Sequence, residues 1–93
     1  MHTTSDIDTD IATLIAGAIG DVLICEPPEL DRDFFLHGGD SVRAVELVTK
    51  LTELFGARTG DQESLSSALL LAVFDDASPN ALAIVTRKHL QPA

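Results

Sequence analysis

Between residues 41 and 56 the apolar side chains recur at a single spacing. Ala44, Leu47, Val48, Leu51, Leu54 and Phe55 fall three and four residues apart, which lines them along one face of an α-helix. Arg43, Glu46, Lys50 and Glu53 trace the opposite face, and Glu46 precedes Lys50 by four residues, the order that favours an ion pair along a helix. Gly56 supplies a C-terminal stop. Val42 and Val45 belong cleanly to neither face and are expected to be apolar but partly exposed. A helix striped in this way is stable only if other elements cover its apolar face, so the remainder of the chain must provide them.

It does so with more helices. Ile7, Ile11, Leu14, Ala18 and Val22 repeat the helical spacing from Asp6 onward, with Asp6, Asp8 and Asp10 in the first turns, where negative charge complements the helix dipole. Pro27 and Pro28 are expected to close this segment, because neither donates a backbone hydrogen bond. Residues 1–5 read as a flexible tail. Residues 26–40 form a loop rich in Pro, Asp and Gly that holds Phe34 and Phe35, two of the four aromatic residues in the chain. A loop this long is usually functional or internally packed, and at least one of the two rings is expected to fold back into the core and pin it. Ala57 to Ser64 reads as a polar loop, and Leu65 to Phe74 as a short helix stopped by Asp75-Asp76. Ser78-Pro79 then sets a capping hydroxyl before a proline at the first helical position. Leu82, Val85 and Leu90, with Ile84 alongside, give the last helix its apolar side, and Arg87, Lys88 and His89 gather at its C-terminal end. No segment alternates with period two. The class is all-α: a small four-helix bundle of three longer helices and one short helix, built as a single domain over residues 1–93.

Composition narrows what such a bundle can do. A chain of 93 residues buries roughly 60–65% of its unfolded surface, enough for one modest core. With no Trp or Tyr, a large aromatic-lined substrate pocket is not expected. Fifteen acids against six Lys and Arg give a formal charge of −9, which argues against nucleic acid and against anionic membranes as partners, since both require basic neutralisation. The same charge steers the chain towards basic patches on other proteins. Cys25 is the only cysteine, so it forms no internal disulfide, and a buried, inert thiol is expected. The three histidines, His2, His37 and His89, lack metal-ligand spacing, so no metal site is expected. The N-terminal residues lack the pattern of a signal peptide, no apolar run reaches the roughly 20 residues of a membrane span, and a cytoplasmic monomer is expected.

The chemistry concentrates in Gly38-Gly39-Asp40-Ser41. Two glycines permit backbone angles and close approaches denied to other residues, Asp40 is an acceptor, and Ser41 brings a hydroxyl to the point where a helix begins. That hydroxyl serves either as a helix cap or as a site of covalent modification. A negative group built on it would meet unpaired N–H groups and the positive end of the dipole. Taken as a catalytic group, His37, Asp40 and Ser41 are too close in sequence to converge as a triad, and His37 reads as a solvated loop residue.

The run from Asp33 to Ser41, followed by Val42-Arg43-Ala44-Val45-Glu46-Leu47-Val48, resembles the carrier-protein family, and most of all the peptidyl carrier proteins of nonribosomal peptide synthesis. The shared pattern is an acid, an aromatic pair, two spacer residues, Gly-Gly, His or Asp, then Ser. The resemblance implies that Ser41 receives a 4'-phosphopantetheine arm from coenzyme A, with Gly38, Gly39 and Asp40 shaping the turn that presents it. It further implies a non-catalytic carrier, free-standing, that holds aminoacyl or acyl groups as thioesters. Its partners would be a phosphopantetheinyl transferase, an adenylation or acyl-loading enzyme, and downstream condensation or tailoring enzymes. Phe35, Leu36, Val42, Val45 and Glu46 are the candidate docking residues. The segment between Phe55 and Phe74 is longer than the family's usual stretch, and Val45-Glu46-Leu47-Val48 leans towards acyl carriers of fatty-acid or polyketide type. Two alternatives therefore stand beside the peptidyl carrier: an acyl carrier of that type, and an unmodified helical interaction module.

Overall fold

The computed structural model describes residues 4–90 and folds them into four helices, α1 (Thr4–Leu23), α2 (Ser41–Phe55), α3 (Gln62–Val73) and α4 (Pro79–His89), with a 3-10 turn (Gly56–Arg58) after α2. The all-α expectation holds. Of the expected N-terminal tail, residues 1–3 lie outside the described residues, while Thr4 and Ser5 already belong to α1. The side chains of Asp6, Ile7 and Asp8 lie outside them too.

A single cluster of buried side chains runs through all four helices. It includes Ile11, Ile15 and Ile19 of α1, Leu47, Leu51 and Phe55 of α2, Leu65 and Leu69 of α3, and Leu82 of α4. α1 packs on α4 and α2, and α3 packs on α2 and α4. Val22 near the end of α1 meets Arg43 near the start of α2, whereas Leu14 shares a groove with Leu54, so these two helices run antiparallel. Each larger core side chain contributes about 1.5–3 kcal/mol by leaving water, which outweighs the surface ion pairs at about 0–1 kcal/mol each.

The α2 stripe is buried as expected at Ala44, Leu47, Val48, Leu51 and Phe55, but Leu54 is 47% exposed. In α1 the expected Leu14 is 48% exposed, and Ala12, Ile15 and Ile19 take the interior instead. α1 is rich in apolar residues all round, so several stripes compete, and its position between α2 and α4 selects among them. In α4 Ile84 is exposed, while Ala83 and Thr86 are buried. The expected Glu46–Lys50 pair is replaced by Arg43–Glu46 at 3.3 Å and by Lys50–Asp21 across the α1–α2 seam at 3.8 Å.

Helix ends also differ in detail. α1 stops four residues before Pro27 because Ile24 turns left-handed (φ 54°) and the Cys25 N–H donates to the Gly20 carbonyl at 2.9 Å. A β-branched residue seldom takes that conformation. Cys25 lies just past this turn and is exposed, which overturns the expected buried thiol. Gly56 keeps an ordinary helical φ of −61° and leads into the 3-10 turn instead of reversing the chain. α3 begins at Gln62, ahead of the expected Leu65, because the Asp61 side chain accepts from the Ser64 N–H at 3.2 Å and caps the helix there. Ser78 caps α4 as read, its hydroxyl accepting from the Ala81 N–H at 3.2 Å, with Pro79 at the first position.

Candidate functional site

Residues 24–40 run from the end of α1 to the start of α2, and Phe34 is their anchor. Its ring is completely buried in the common core, as expected for one of the pair. Phe35 sits half-buried beside it, edge-on to Phe34 with centroids 5.2 Å apart and stacked on Phe74 at 5.8 Å. From Phe34 the backbone winds through one tight turn. The Phe34 carbonyl accepts from the His37 N–H at 3.1 Å and from the Gly39 N–H at 3.0 Å.

Both glycines of that turn are required, for different reasons. Gly38 has φ 111°, a left-handed conformation that side chains rarely tolerate. Gly39 has no room for a side chain, because a Cβ there would overlap the Phe34 ring. The turn therefore passes directly over the buried aromatic before the chain enters α2.

Asp40, and not Ser41, caps the helix. It is extended (φ −136°, ψ −177°) and its Oδ1 accepts from the Arg43 N–H at 2.9 Å, while its carbonyl accepts from the Ala44 N–H at 2.8 Å. Ser41 is thus the first helical residue. Its side chain is exposed and makes no hydrogen bond with the described residues. The opening N–H groups of α2 at Ser41 and Val42 have no carbonyl one turn earlier to receive them. A nucleophilic oxygen therefore projects from the positive end of a 15-residue helix. An anionic phosphodiester attached at that oxygen fits this environment.

The other candidate residues divide by exposure. Leu36 (73% exposed), Val42 (76%) and Val45 (53%) stand in solvent as expected, and Glu46 is exposed beside Arg43. Phe35 differs, with much of its ring committed to Phe34 and Phe74. His37 is not the solvated residue expected: it is half-buried and its Nε2 lies 3.2 Å from the Glu26 carbonyl, tying the start of the loop to its end. Sequence reasoning missed two participants. Phe74 read only as the end of a helix. Asp33 read only as the acid of a family pattern, although an Asp two residues before an N–H it can accept is a recognisable turn signal. The grooves along the α1–α2 seam, lined by residues such as Asp21, Glu46, Lys50 and Leu54, do not include Ser41. Among the described residues no three His, Cys, Asp or Glu side chains gather as metal ligands, and no helix is long and apolar enough to cross a membrane.

A family model described as "Phosphopantetheine attachment site" matches residues 13–83. That interval holds most of α1, the loop, all of α2 and α3, and the first half of α4. Comparison with curated proteins and with solved structures gives no significant match.

Proposed function

The chain belongs to the phosphopantetheine-attachment family, whose members carry a covalent 4'-phosphopantetheine arm, and from that premise we propose that it is a peptidyl-type carrier whose arm is attached to Ser41. The observation that carries this reading is the division of labour at the start of α2. Asp40 takes the capping role, which leaves the Ser41 hydroxyl exposed and unengaged at the helix N-terminus.

Carrier domains of this family act with a phosphopantetheinyl transferase and with loading enzymes, and are in general the substrates of those enzymes. In our reading the Ser41 oxygen attacks the pantetheine-side phosphorus of the coenzyme A pyrophosphate. A new P–O bond forms, the bond to the bridging oxygen breaks, and the phosphoadenosine half departs. A base on the transferase takes the hydroxyl proton, and the transferase supplies the magnesium. The arm, once attached, supplies a thiol on which an acid is held as a thioester. This chain's residues contribute presentation: Gly38 and Gly39 form the turn, Asp40 starts the helix, and the N–H groups of Ser41 and Val42 face the anion. Tethering raises the effective concentration of the cargo at each enzyme that docks. Docking would use Leu36, Val42, Val45 and Glu46, together with the part of Phe35 left exposed in the preceding loop. The chain performs no turnover of its own and acts as a monomer.

The aromatic pair Phe34-Phe35 and the Gly38-Gly39 turn favour aminoacyl cargo in nonribosomal peptide synthesis, whereas Val45-Glu46-Leu47-Val48 would suit an acyl carrier of polyketide or fatty-acid type. Incubation with coenzyme A, magnesium and a broad-specificity phosphopantetheinyl transferase tests the attachment. The intact mass is expected to rise by one phosphopantetheine, and Ser41→Ala to abolish the gain. An unchanged mass beside a control carrier that is modified would favour the unmodified interaction module. The mass of the loaded protein from its producing cells separates aminoacyl from acyl cargo.

A further inference from the structure

We propose that Asp33 is a positioning residue for phosphopantetheine transfer, holding the Ser41 turn in register against the junction between α3 and α4. This rests on the reading of Ser41 as the attachment residue. Asp33 touches neither the serine nor anything attached to it. It acts through the backbone.

The Asp33 carboxylate accepts two backbone N–H groups from opposite sides. Oδ1 takes the Phe35 N–H at 2.8 Å, and Oδ2 takes the Ala77 N–H at 3.3 Å, 44 residues further along the chain. The Phe34 N–H returns to the Ala77 carbonyl at 3.2 Å, and the Asn80 N–H donates to the Leu30 carbonyl at 2.9 Å. The loop is therefore stitched to the start of α4 on both sides of Asp33. From this stitch a continuous chain of contacts leads to the serine. Asp33 sets the backbone of Phe34, the Phe34 ring fills the space under Gly39, the Phe34 carbonyl holds the Gly39 N–H, and Gly39 delivers Asp40, which caps the helix that opens with Ser41.

Two features separate this role from general stabilisation. Among the described residues Asp33 is the side chain that bonds both the presenting turn and the α3–α4 junction. Its two bonds reach the backbone of Phe35 and Ala77, residues in or against the apolar cluster, but they bury no apolar surface themselves, so their loss loosens the turn more than the helical core. Asn at this position has the same shape but replaces one acceptor oxygen with an NH2 group. One of the two N–H donors would then face another donor and lose its partner. Transfer chemistry is sensitive to small misplacements of the reacting atom.

The test is transfer from coenzyme A by a broad-specificity phosphopantetheinyl transferase, with wild type, Asp33→Asn and Ile15→Ala compared over a range of carrier concentration. Ile15 is a fully buried core residue of α1 and lies outside residues 24–40, and its variant controls for lost stability at a temperature where both variants remain folded. Asp33→Asn is expected to lower kcat by about tenfold while KM for the carrier, set by docking, stays within about twofold. Ile15→Ala is expected to leave both near wild type. Should Asp33→Asn not fold, Asp33→Glu, which displaces the same two acceptors by one methylene, is expected to lower kcat with KM unchanged. Equal kcat values for the Asp33 variant and the Ile15 control would overturn the inference and leave the attachment reading intact. Failure of the wild-type chain to accept the arm would overturn both, and the intact mass distinguishes the two outcomes.

Discussion

At the scale of the residue, the site depends on an absence of side chain as much as on its presence. Gly39 lies against the Phe34 ring so closely that a single added methyl has no space, and the ring cannot retreat easily because it is completely buried in the core. Gly39→Ala is therefore expected to destabilise the fold by about 1–3 kcal/mol, as overpacking of a filled interior does. Urea unfolding measures this, and a midpoint equal to wild type would mean the ring yields without cost. The Gly-Gly pair is conspicuous in the sequence and reads correctly as a turn. That one glycine answers to backbone angle and the other to an aromatic ring five residues earlier is not legible there, because local sequence does not state which ring lies beneath.

At the scale of the element, α2 separates two roles that a serine at a helix start usually combines. Asp40 accepts the Arg43 N–H at 2.9 Å, so Asp40→Ala is expected to cost about 1 kcal/mol of stability. Ser41→Ala removes no hydrogen bond seen among the described residues and is expected to change stability by less than about 0.5 kcal/mol. Thermal melts of the two variants check the contrast. If Ser41→Ala were the more destabilising, the hydroxyl would be a cap after all. Helix identity was readable along the chain, since period, Ser78-Pro79 and the amphipathic run from Ala44 all signal it. The buried stripe of α1 was less readable, because Ile15 and Ile19 compete with Leu14 on a helix covered from two sides.

At the scale of the whole molecule, a formal charge of −9 surrounds a small apolar set of Leu36, Val42 and Val45 close to Ser41 along the chain. Val42 and Val45 lie on an outer flank of α2 and are well exposed, so they contribute little to the core. Val45→Asp is expected to leave the melting temperature within a few degrees of wild type while slowing transfer from coenzyme A at sub-saturating carrier several-fold. A large loss of melting temperature would instead show that Val45 is part of the packing. Added salt is expected to raise KM for the acidic carrier, because screening weakens its attraction to a basic enzyme surface.

The order of helices, the aromatic anchor in the long loop and the serine at a helix start all follow from local pattern: apolar period, cap chemistry and the angles that glycine and proline allow. These are properties of residues a few positions apart, so the sequence states them directly. Contacts between distant segments are different in kind. Asp33 with Ala77, Phe35 on Phe74, and His37 against Glu26 depend on where the loop comes to rest once four helices have covered one another. That resting place is set by shared burial, which has no local signature. It is also what seats the Phe34 ring in the core beneath Gly39, and so fixes the turn that leads into Asp40 and Ser41.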